Sequence, residues 1–164
     1  MTLPFGATYR TILLAENNSI LRKSVQQILE EAGFTVMPAG TSKEAIRFEA
    51  EFPGTIDLLL TDLRLAGASG PGLAKRLQQR RPQMCVMLMS AYPGGALLIL
   101  NGGWHYLEKP SVAAGLVSKI KDVLRGETKE PSSDRFETLR IPRRAFGRAL
   151  RFQTATSSRR RRGA

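Results

Sequence analysis

The sequence predicts an α/β fold in which one sheet of five parallel strands is covered by helices on both faces. Short apolar runs alternate five times with segments at helical spacing, which is the pattern of repeated strand–helix–strand units. The run at 56–60 is almost continuously apolar, as expected of a central strand that helices cover on both sides. Crossovers between parallel strands are right-handed, so we expect a doubly wound sheet.

The composition indicates one globular domain and a basic tail. The 164 residues are 42% hydrophobic, and the chain is long enough to bury a substantial core. The net charge of +11 is uneven: residues 1–126 carry 14 Lys and Arg against 10 Asp and Glu, whereas residues 127–164 carry 11 against 4. We therefore expect a lead-in at 1–10, a domain at 11–126 and a mostly disordered basic tail at 127–164.

The first half of the domain shows clear signals for helix ends. Gly33 is placed to end the first helix, and Thr41 with Glu44 has the form of a capping box for the second. These signals give strands at 11–15, 34–37 and 56–60, a helix with apolar residues spaced over 20–32, and a helix from the capping box to about residue 51.

The second half continues the alternation after a loop rich in Gly, Ala and Ser. Pro71 suits a first helical turn, and Pro82 ends that helix. The predicted elements are a helix to about 81, a strand at 85–89, a short helix within 93–101, a strand at 104–107 and a helix at 111–125. The first of these helices has a basic face, which we expect to be solvated, made of Lys75, Arg76, Arg80 and Arg81.

Several classes of protein are disfavoured by the sequence. No apolar run is long enough to span a bilayer, and the N-terminus lacks the order of a signal peptide, so we expect a cytoplasmic protein without membrane insertion. The lone Cys85 fits a reducing compartment. His105, the only histidine, has no second ligand beside it and is expected to pack or to face solvent.

Polar side chains follow four of the five predicted strands at their carboxyl ends. They are Glu16 and Asn17 after the first, Asp62 after the third, Ser90 after the fourth and Lys109 after the fifth. In a doubly wound sheet these strand ends gather at one edge, where such folds place their chemistry. We expect the five side chains to be neighbours.

This set of residue types suits phosphoryl transfer to a carboxylate. Asp62 can act as the nucleophile, Lys109 can supply a fixed positive charge, and the Ser90 hydroxyl can hydrogen-bond the transferred group. Magnesium needs only one or two carboxylates plus waters, which suits Asp62 with Glu16. The bland alternative is that Asp62 merely ends a strand or starts a turn.

Four segments at these strand ends resemble the receiver domain of two-component response regulators, over about residues 10–126. They are Ile12–Asn17, Leu59–Asp62 with Ser69-Gly70, Met89–Tyr92 and Tyr106–Pro110. The resemblance implies a flavodoxin-like fold in which Asp62 takes phosphate from a sensor histidine kinase or phosphotransfer protein. The chain would then be a phosphoacceptor with at most self-catalysed phosphotransfer and dephosphorylation, and no enzyme.

The resemblance also implies roles for further residues. Ser90 and Tyr106 would rotate inward when Asp62 is phosphorylated, remodelling the face formed by the fourth and fifth helices and their strands. A downstream protein partner, which the sequence does not identify, would bind that changed surface. The magnesium ligands would be Glu16, Asn17, Asp62 and the backbone carbonyl of Arg64.

The chain departs from the family pattern at several positions. Asn17 stands where the family usually has its principal metal carboxylate, so we expect weak magnesium binding. Ala66 replaces a common proline, Ser111 replaces a bulky apolar residue, and the segment between Ser90 and Lys109 is about a turn shorter than usual.

Two alternatives therefore stay open. One is a receiver-like interaction module that works without phosphate. The other is a nucleic-acid accessory protein acting through its basic tail, in which Arg159–Arg162 makes non-specific contacts with anionic partners through counterion release.

Overall fold

The computed structural model describes residues 9–91, 103–109 and 112–126, without the side chains of 112–114. The helices are α1 (Ser19–Glu31), α2 (Ser42–Glu51), α3 (Gly70–Arg80) and α4 (Val112–Arg125), and the strands are β1 (Thr11–Ala15), β2 (Thr35–Ala39), β3 (Leu58–Asp62), β4 (Arg64–Leu65), β5 (Ala68–Ser69), β6 (Cys85–Ser90) and β7 (His105–Glu108). Three predicted segments lie outside the described residues: positions 1–8 of the lead-in at 1–10, the short helix within 93–101 and the disordered tail at 127–164.

Five strands form one parallel sheet in the order β2-β1-β3-β6-β7. The chain moves outward to β2 and then crosses back over β1 to β3, so the strand order reverses between β1 and β3. In folds of this kind ligands bind outside the carboxyl ends of the strands at such a reversal. The predicted doubly wound, flavodoxin-like sheet is confirmed.

Alternating side chains of the strands fill two separate cores. Leu59 packs on one face of the sheet with α2 and α3, whereas Leu58 and Leu60 pack on the other face with α1 and α4. All three leucines are fully buried. Burial on both faces explains why β3 is almost continuously apolar in sequence.

The second strand begins and ends later than predicted. It pairs with β1 along its whole length, from Thr11 opposite Thr35 to Ala15 opposite Ala39. Pro38 lies inside it, which is tolerated because β2 is an edge strand and one of its sides needs no donor.

The loop after β3 contains a small antiparallel hairpin that the sequence did not indicate. Strands β4 and β5 pair Arg64 with Ser69 and Leu65 with Ala68. Gly67 lies in the tight turn between them at a φ of 91°, a conformation that favours glycine. The loop after Asp62, residues 63–69, therefore contains regular structure.

Arg81 corrects the expectation that all four basic residues of its helix are solvated. Its guanidinium turns inward and donates to the carbonyls of Gly54 at 2.6 Å, Phe52 at 2.7 Å and Glu49 at 3.1 Å, and to Glu49 Oε1 at 2.9 Å. The last carbonyls of a helix lack intrahelical partners, so Arg81 satisfies the end of α2 and joins it to α3. Glu49 is itself buried, with its side chain 3% exposed.

His105 gives the domain a weak pH dependence. Burial lowers the pKa of His105 below its ordinary value of 6.5, and the nearby Lys119 lowers this pKa further. The contribution of neutral His105 to the free energy of unfolding is therefore complete above pH 6.5. This contribution is lost as the pH falls below 6.5, because the unfolded chain takes up the proton first. We expect the loss from pH 8 to pH 5 to be smaller in His105→Gln by about 0.5 kcal/mol, a small value because solvent screens the half-buried ring. Urea unfolding at both pH values measures it, and an equal loss in both proteins would contradict this expectation.

Candidate functional site

Asp62 ends β3 at the carboxyl edge of the sheet, with its side chain 18% exposed. Its Oδ1 accepts a long hydrogen bond of 3.4 Å from the backbone N–H of Arg64. The next residue, Leu63, donates from its backbone to the carbonyl of Met89 at 2.9 Å. This bond fixes the chain leaving Asp62 against the end of β6, and the carboxylate faces partly to solvent.

The Lys109 ammonium bridges two carboxylates that come from separate strands. Its Nζ lies 2.5 Å from Glu16 Oε2 and 3.1 Å from Asp62 Oδ2. The backbone N–H of Lys109 donates to the carbonyl of Ser90 at 2.7 Å, which ties the end of β7 to the end of β6. The structure thus brings Glu16, Asp62, Ser90 and Lys109 to one edge.

Glu16 is oriented toward Lys109 and toward its own loop. The side chain is 1% exposed. Its second oxygen, Oε1, accepts from the backbone N–H of Asn18 at 2.9 Å. Both carboxylate oxygens therefore have partners, and the buried charge of Glu16 is compensated by the Lys109 ammonium, as a buried carboxylate requires. Glu16 holds Lys109 in place beside Asp62.

Arg22 supports the loop after β1, a role that sequence reasoning missed. Its guanidinium donates to the carbonyl of Glu16 at 2.6 Å and to that of Asn17 at 3.4 Å. Asn18 caps α1 by accepting from the N–H groups of Ile20 and Leu21, both at 3.0 Å. Nothing in the sequence indicated that Arg22 turns back over the strand end.

Gly70 allows the start of α3 to lie directly against the backbone of Asp62. A Cβ on Gly70 would lie 2.1 Å from the Asp62 carbonyl oxygen, which no side chain tolerates. The Gly70 N–H donates to the carbonyl of Leu63 at 2.9 Å, and Ser69 caps α3 by accepting from the N–H of Gly72 at 3.1 Å. These contacts explain why a serine and a glycine stand at positions 69 and 70.

Ser42 joins the β4–β5 hairpin to the start of α2, and sequence reasoning missed this contact too. Its backbone N–H and its hydroxyl both donate to the carbonyl of Ala66, each at 3.3 Å. Ser42 is buried. The hairpin after Asp62 is therefore held from its outer end as well as from β6.

Ser90 and Tyr106 lie where a change at Asp62 can reach them. Ser90 is buried at the end of β6, beside β3 in the sheet. Tyr106 is half-buried on β7 and packs with Trp104 against the core on the α2 and α3 side. Trp104 Nε1 donates to Gln78 Oε1 on α3 at 2.9 Å. The inward rotation of Ser90 and Tyr106 stays a prediction.

The residues at this edge fit a weakly held magnesium ion. Across residues 9–91, 103–109 and 112–126, no group of three or more His, Cys, Asp or Glu side chains is placed to hold a metal. Asp62 Oδ1 accepts a long hydrogen bond of 3.4 Å from the Arg64 N–H, and a bond of this length leaves the oxygen able to bind a cation. Asn17 is exposed and adds a neutral oxygen. One carboxylate with neutral oxygens suits magnesium that keeps several waters.

Residues 12–121 match the response regulator receiver domain family. The chain is 26% identical over 117 residues to the sensor kinase CckA of Brucella abortus (strain 2308), an alignment that covers 70% of this chain and 12% of that protein. It is 29% identical over 115 residues to the C4-dicarboxylate transport transcriptional regulatory protein DctD of Rhizobium meliloti (strain 1021), covering 68% of this chain and 24% of that protein. The alignments thus span less than a quarter of either relative.

A solved structure matches the whole domain. The CheY-like response regulator receiver domain protein from Methanospirillum hungatei JF-1 is 27% identical, with a TM-score of 0.66. The alignment covers 73% of this chain and 97% of that chain. Within the described residues, no helix has the length and apolar character needed to cross a membrane.

Proposed function

Because this chain belongs to the response regulator receiver domain family, we propose that Asp62 accepts a phosphoryl group from a sensor histidine kinase or a phosphotransfer protein. The observation that carries the proposal is the Lys109 ammonium, 3.1 Å from the Asp62 carboxylate and held there by Glu16. A positioned cation beside the nucleophile stabilises the negative charge on the transferred oxygens. Asp62 is also partly exposed, so a donor can approach it.

Each residue at the carboxyl edge of the sheet has its own role in the proposed reaction. One oxygen of Asp62 forms a bond to phosphorus as the bond between phosphorus and the donor breaks, which gives an acyl phosphate. Lys109 turns from Asp62 to a phosphoryl oxygen while keeping Glu16, and the Ser90 hydroxyl donates to another. The chain thus acts as a phosphoacceptor, with at most self-catalysed transfer and loss of the group.

Receiver domains bind magnesium for phosphorylation, and here Asp62, Asn17 and the Arg64 carbonyl would hold it. When bound, the ion neutralises the negative oxygens that converge on Asp62. The sequence predicted Glu16 as a further ligand, but both of its carboxylate oxygens have partners in the protein, so we propose that it keeps the Lys109 ammonium in place instead. Weak binding follows because Asn17 adds no charge.

The output of the reaction is a changed surface for a protein partner. Ser90 and Tyr106 lie on neighbouring strands, β6 and β7, so a movement of Ser90 toward a phosphoryl group opens space for the ring of Tyr106. The affected surface includes β7, the edge strand of the sheet, together with the helices beside it. We place this signalling role in the cytoplasm.

Asp62→Asn should abolish phosphorylation of the intact chain. We expect wild type, incubated with a small phosphodonor and magnesium, to gain the mass of one phosphoryl group, because Asp62 supplies the nucleophile. Asp122→Asn, a matched loss of one carboxylate on α4, should leave that gain unchanged. Intact-protein mass spectrometry measures all three proteins. A phosphoryl gain retained by Asp62→Asn would refute the assignment.

A second function, binding a partner without phosphate, is favoured by the charges at the site. Lys109 pairs with both Glu16 and Asp62, so its positive charge already offsets one of the two negative charges, and Asn17 adds none to attract a metal ion. A partner that binds wild type and Asp62→Asn equally tightly would support this alternative. A partner whose affinity changes only after Asp62 is phosphorylated would exclude it.

A further inference from the structure

We propose that the exposed side of α3 binds the phosphate backbone of double-stranded DNA. This basic side consists of Lys75, Arg76 and Arg80, which are all exposed, while Leu73, Ala74 and Leu77 face the core. The helix contains no acidic residue. The exposed charged side chains of this helix are therefore all cationic.

Two of the three cations have no ion pair within the described residues. Arg80 lies 3.5 Å from Glu49, but its side chain is 57% exposed. Lys75 and Arg76 make no such pair in the part of the chain that the structure describes. No ion pair within the described residues neutralises these two charges, so they create a positive potential at the surface that attracts a polyanion.

The neighbouring helix α2 adds to the positive surface because its acidic residues are used elsewhere. Glu44 is half-buried and accepts from the N–H of Gly40 at 2.7 Å, and Glu49 is buried against Arg81. This leaves Glu51 as the exposed acid of α2, beside exposed Lys43 and Arg47.

The two helical layers therefore differ in exposed charge. Among the described residues, the exposed charged side chains of α2 and α3 give a net charge of +4, compared with +2 for those of α1 and α4.

Duplex DNA fits this surface better than folded RNA or a small anion. DNA presents about one negative charge every 1.7 Å of its axis, and a row of cations on one helix can neutralise several phosphates together. The groove of B-form DNA also admits a helix, whereas the major groove of duplex RNA is too narrow for side chains to enter. Because Lys and Arg carry the charge of this side of α3, we expect their contacts with phosphates to supply most of the affinity.

The test is the salt dependence of DNA binding by the full chain. Fluorescence anisotropy with a labelled 20-base-pair duplex gives the slope of log K against log salt, which measures the number of phosphates that are neutralised. We expect Lys75→Gln with Arg76→Gln to reduce this slope by about 2 and to weaken binding at least about tenfold at 0.1 M salt. The matched control is Lys23→Gln with Lys121→Gln, which removes the same net charge from exposed positions on α1 and α4.

The control double variant should keep the wild-type slope. Equal reductions in both double variants would overturn the proposal, because net charge alone would then explain binding. An unchanged slope in the α3 variant would place binding in the tail and overturn it too. Absence of DNA binding by wild type, or binding only to anionic vesicles, would also overturn it. None of these outcomes bears on phosphorylation of Asp62, which the mass measurement tests separately.

Discussion

Asn17→Asp is expected to tighten magnesium binding at least about tenfold, which corresponds to about 1.4 kcal/mol. In the wild-type site the Lys109 ammonium lies 2.5 Å from Glu16 and 3.1 Å from Asp62, so these three groups leave only one net negative charge to attract a divalent cation. An aspartate at position 17 adds a full charge after the end of β1, the strand next to β3, whereas the amide offers only a dipole. Magnesium titration followed by the fluorescence of Trp104, the single tryptophan, measures the change.

The neighbouring position offers a matched control for that variant. Asn18→Asp adds the same charge one residue later and keeps a good cap on α1, since Asp and Asn cap helices equally well. We expect it to change magnesium affinity much less, because the Asn18 side chain accepts from Ile20 and Leu21 at the start of α1. Equal tightening by both variants would show that the effect is general charge and not ligation.

Arg81→Ala is expected to lower the free energy of unfolding by about 3 kcal/mol. The change leaves the carboxylate of Glu49 buried without its partner at 2.9 Å and removes donors from three carbonyls. Glu49 already has one buried oxygen, Oε2, without a hydrogen bond among the described residues. Loss of the Arg81 bond to the other oxygen would therefore leave both oxygens of a buried carboxylate without this donor. Urea unfolding followed by circular dichroism measures it.

Arg80→Ala serves as the control for this clamp. Its guanidinium is more exposed and lies 3.5 Å from Glu49, so we expect a loss below about 1 kcal/mol. The double variant Glu49→Met with Arg81→Met should recover part of the stability, since an apolar pair replaces the buried charges. Similar losses for Arg80→Ala and Arg81→Ala would contradict the role assigned to the clamp.

The sheet could be predicted from the sequence because each strand and helix has its own local signal. The apolar run that becomes β3 and the spacing of apolar residues in α1 depend only on neighbouring positions. The ends of β2 were less certain, since Pro38 is a strong turn signal and only pairing with β1 shows that it lies inside an edge strand. The β4–β5 hairpin was missed because a loop rich in small residues gives no periodic pattern.

Several contacts between distant parts of the chain could not be predicted from the sequence. The partners of Arg81 lie about 30 positions earlier and are mostly backbone carbonyls, which every residue carries. The same holds for Arg22, whose partners are the carbonyls of Glu16 and Asn17. By contrast, the meeting of Asp62 with Lys109 follows from topology, because both residues end parallel strands. Their chemical roles stay proposals.

The most direct test of the central claim is to locate the phosphoryl group on the chain. Borohydride reduction converts an aspartyl phosphate to homoserine, and peptide mass spectrometry then identifies the modified position. After treatment with a small phosphodonor and magnesium, we predict homoserine at position 62 and at no other carboxylate. Homoserine at a different Asp, or none in a protein shown to be folded and supplied with excess magnesium, would contradict the assignment of Asp62 as the phosphoacceptor.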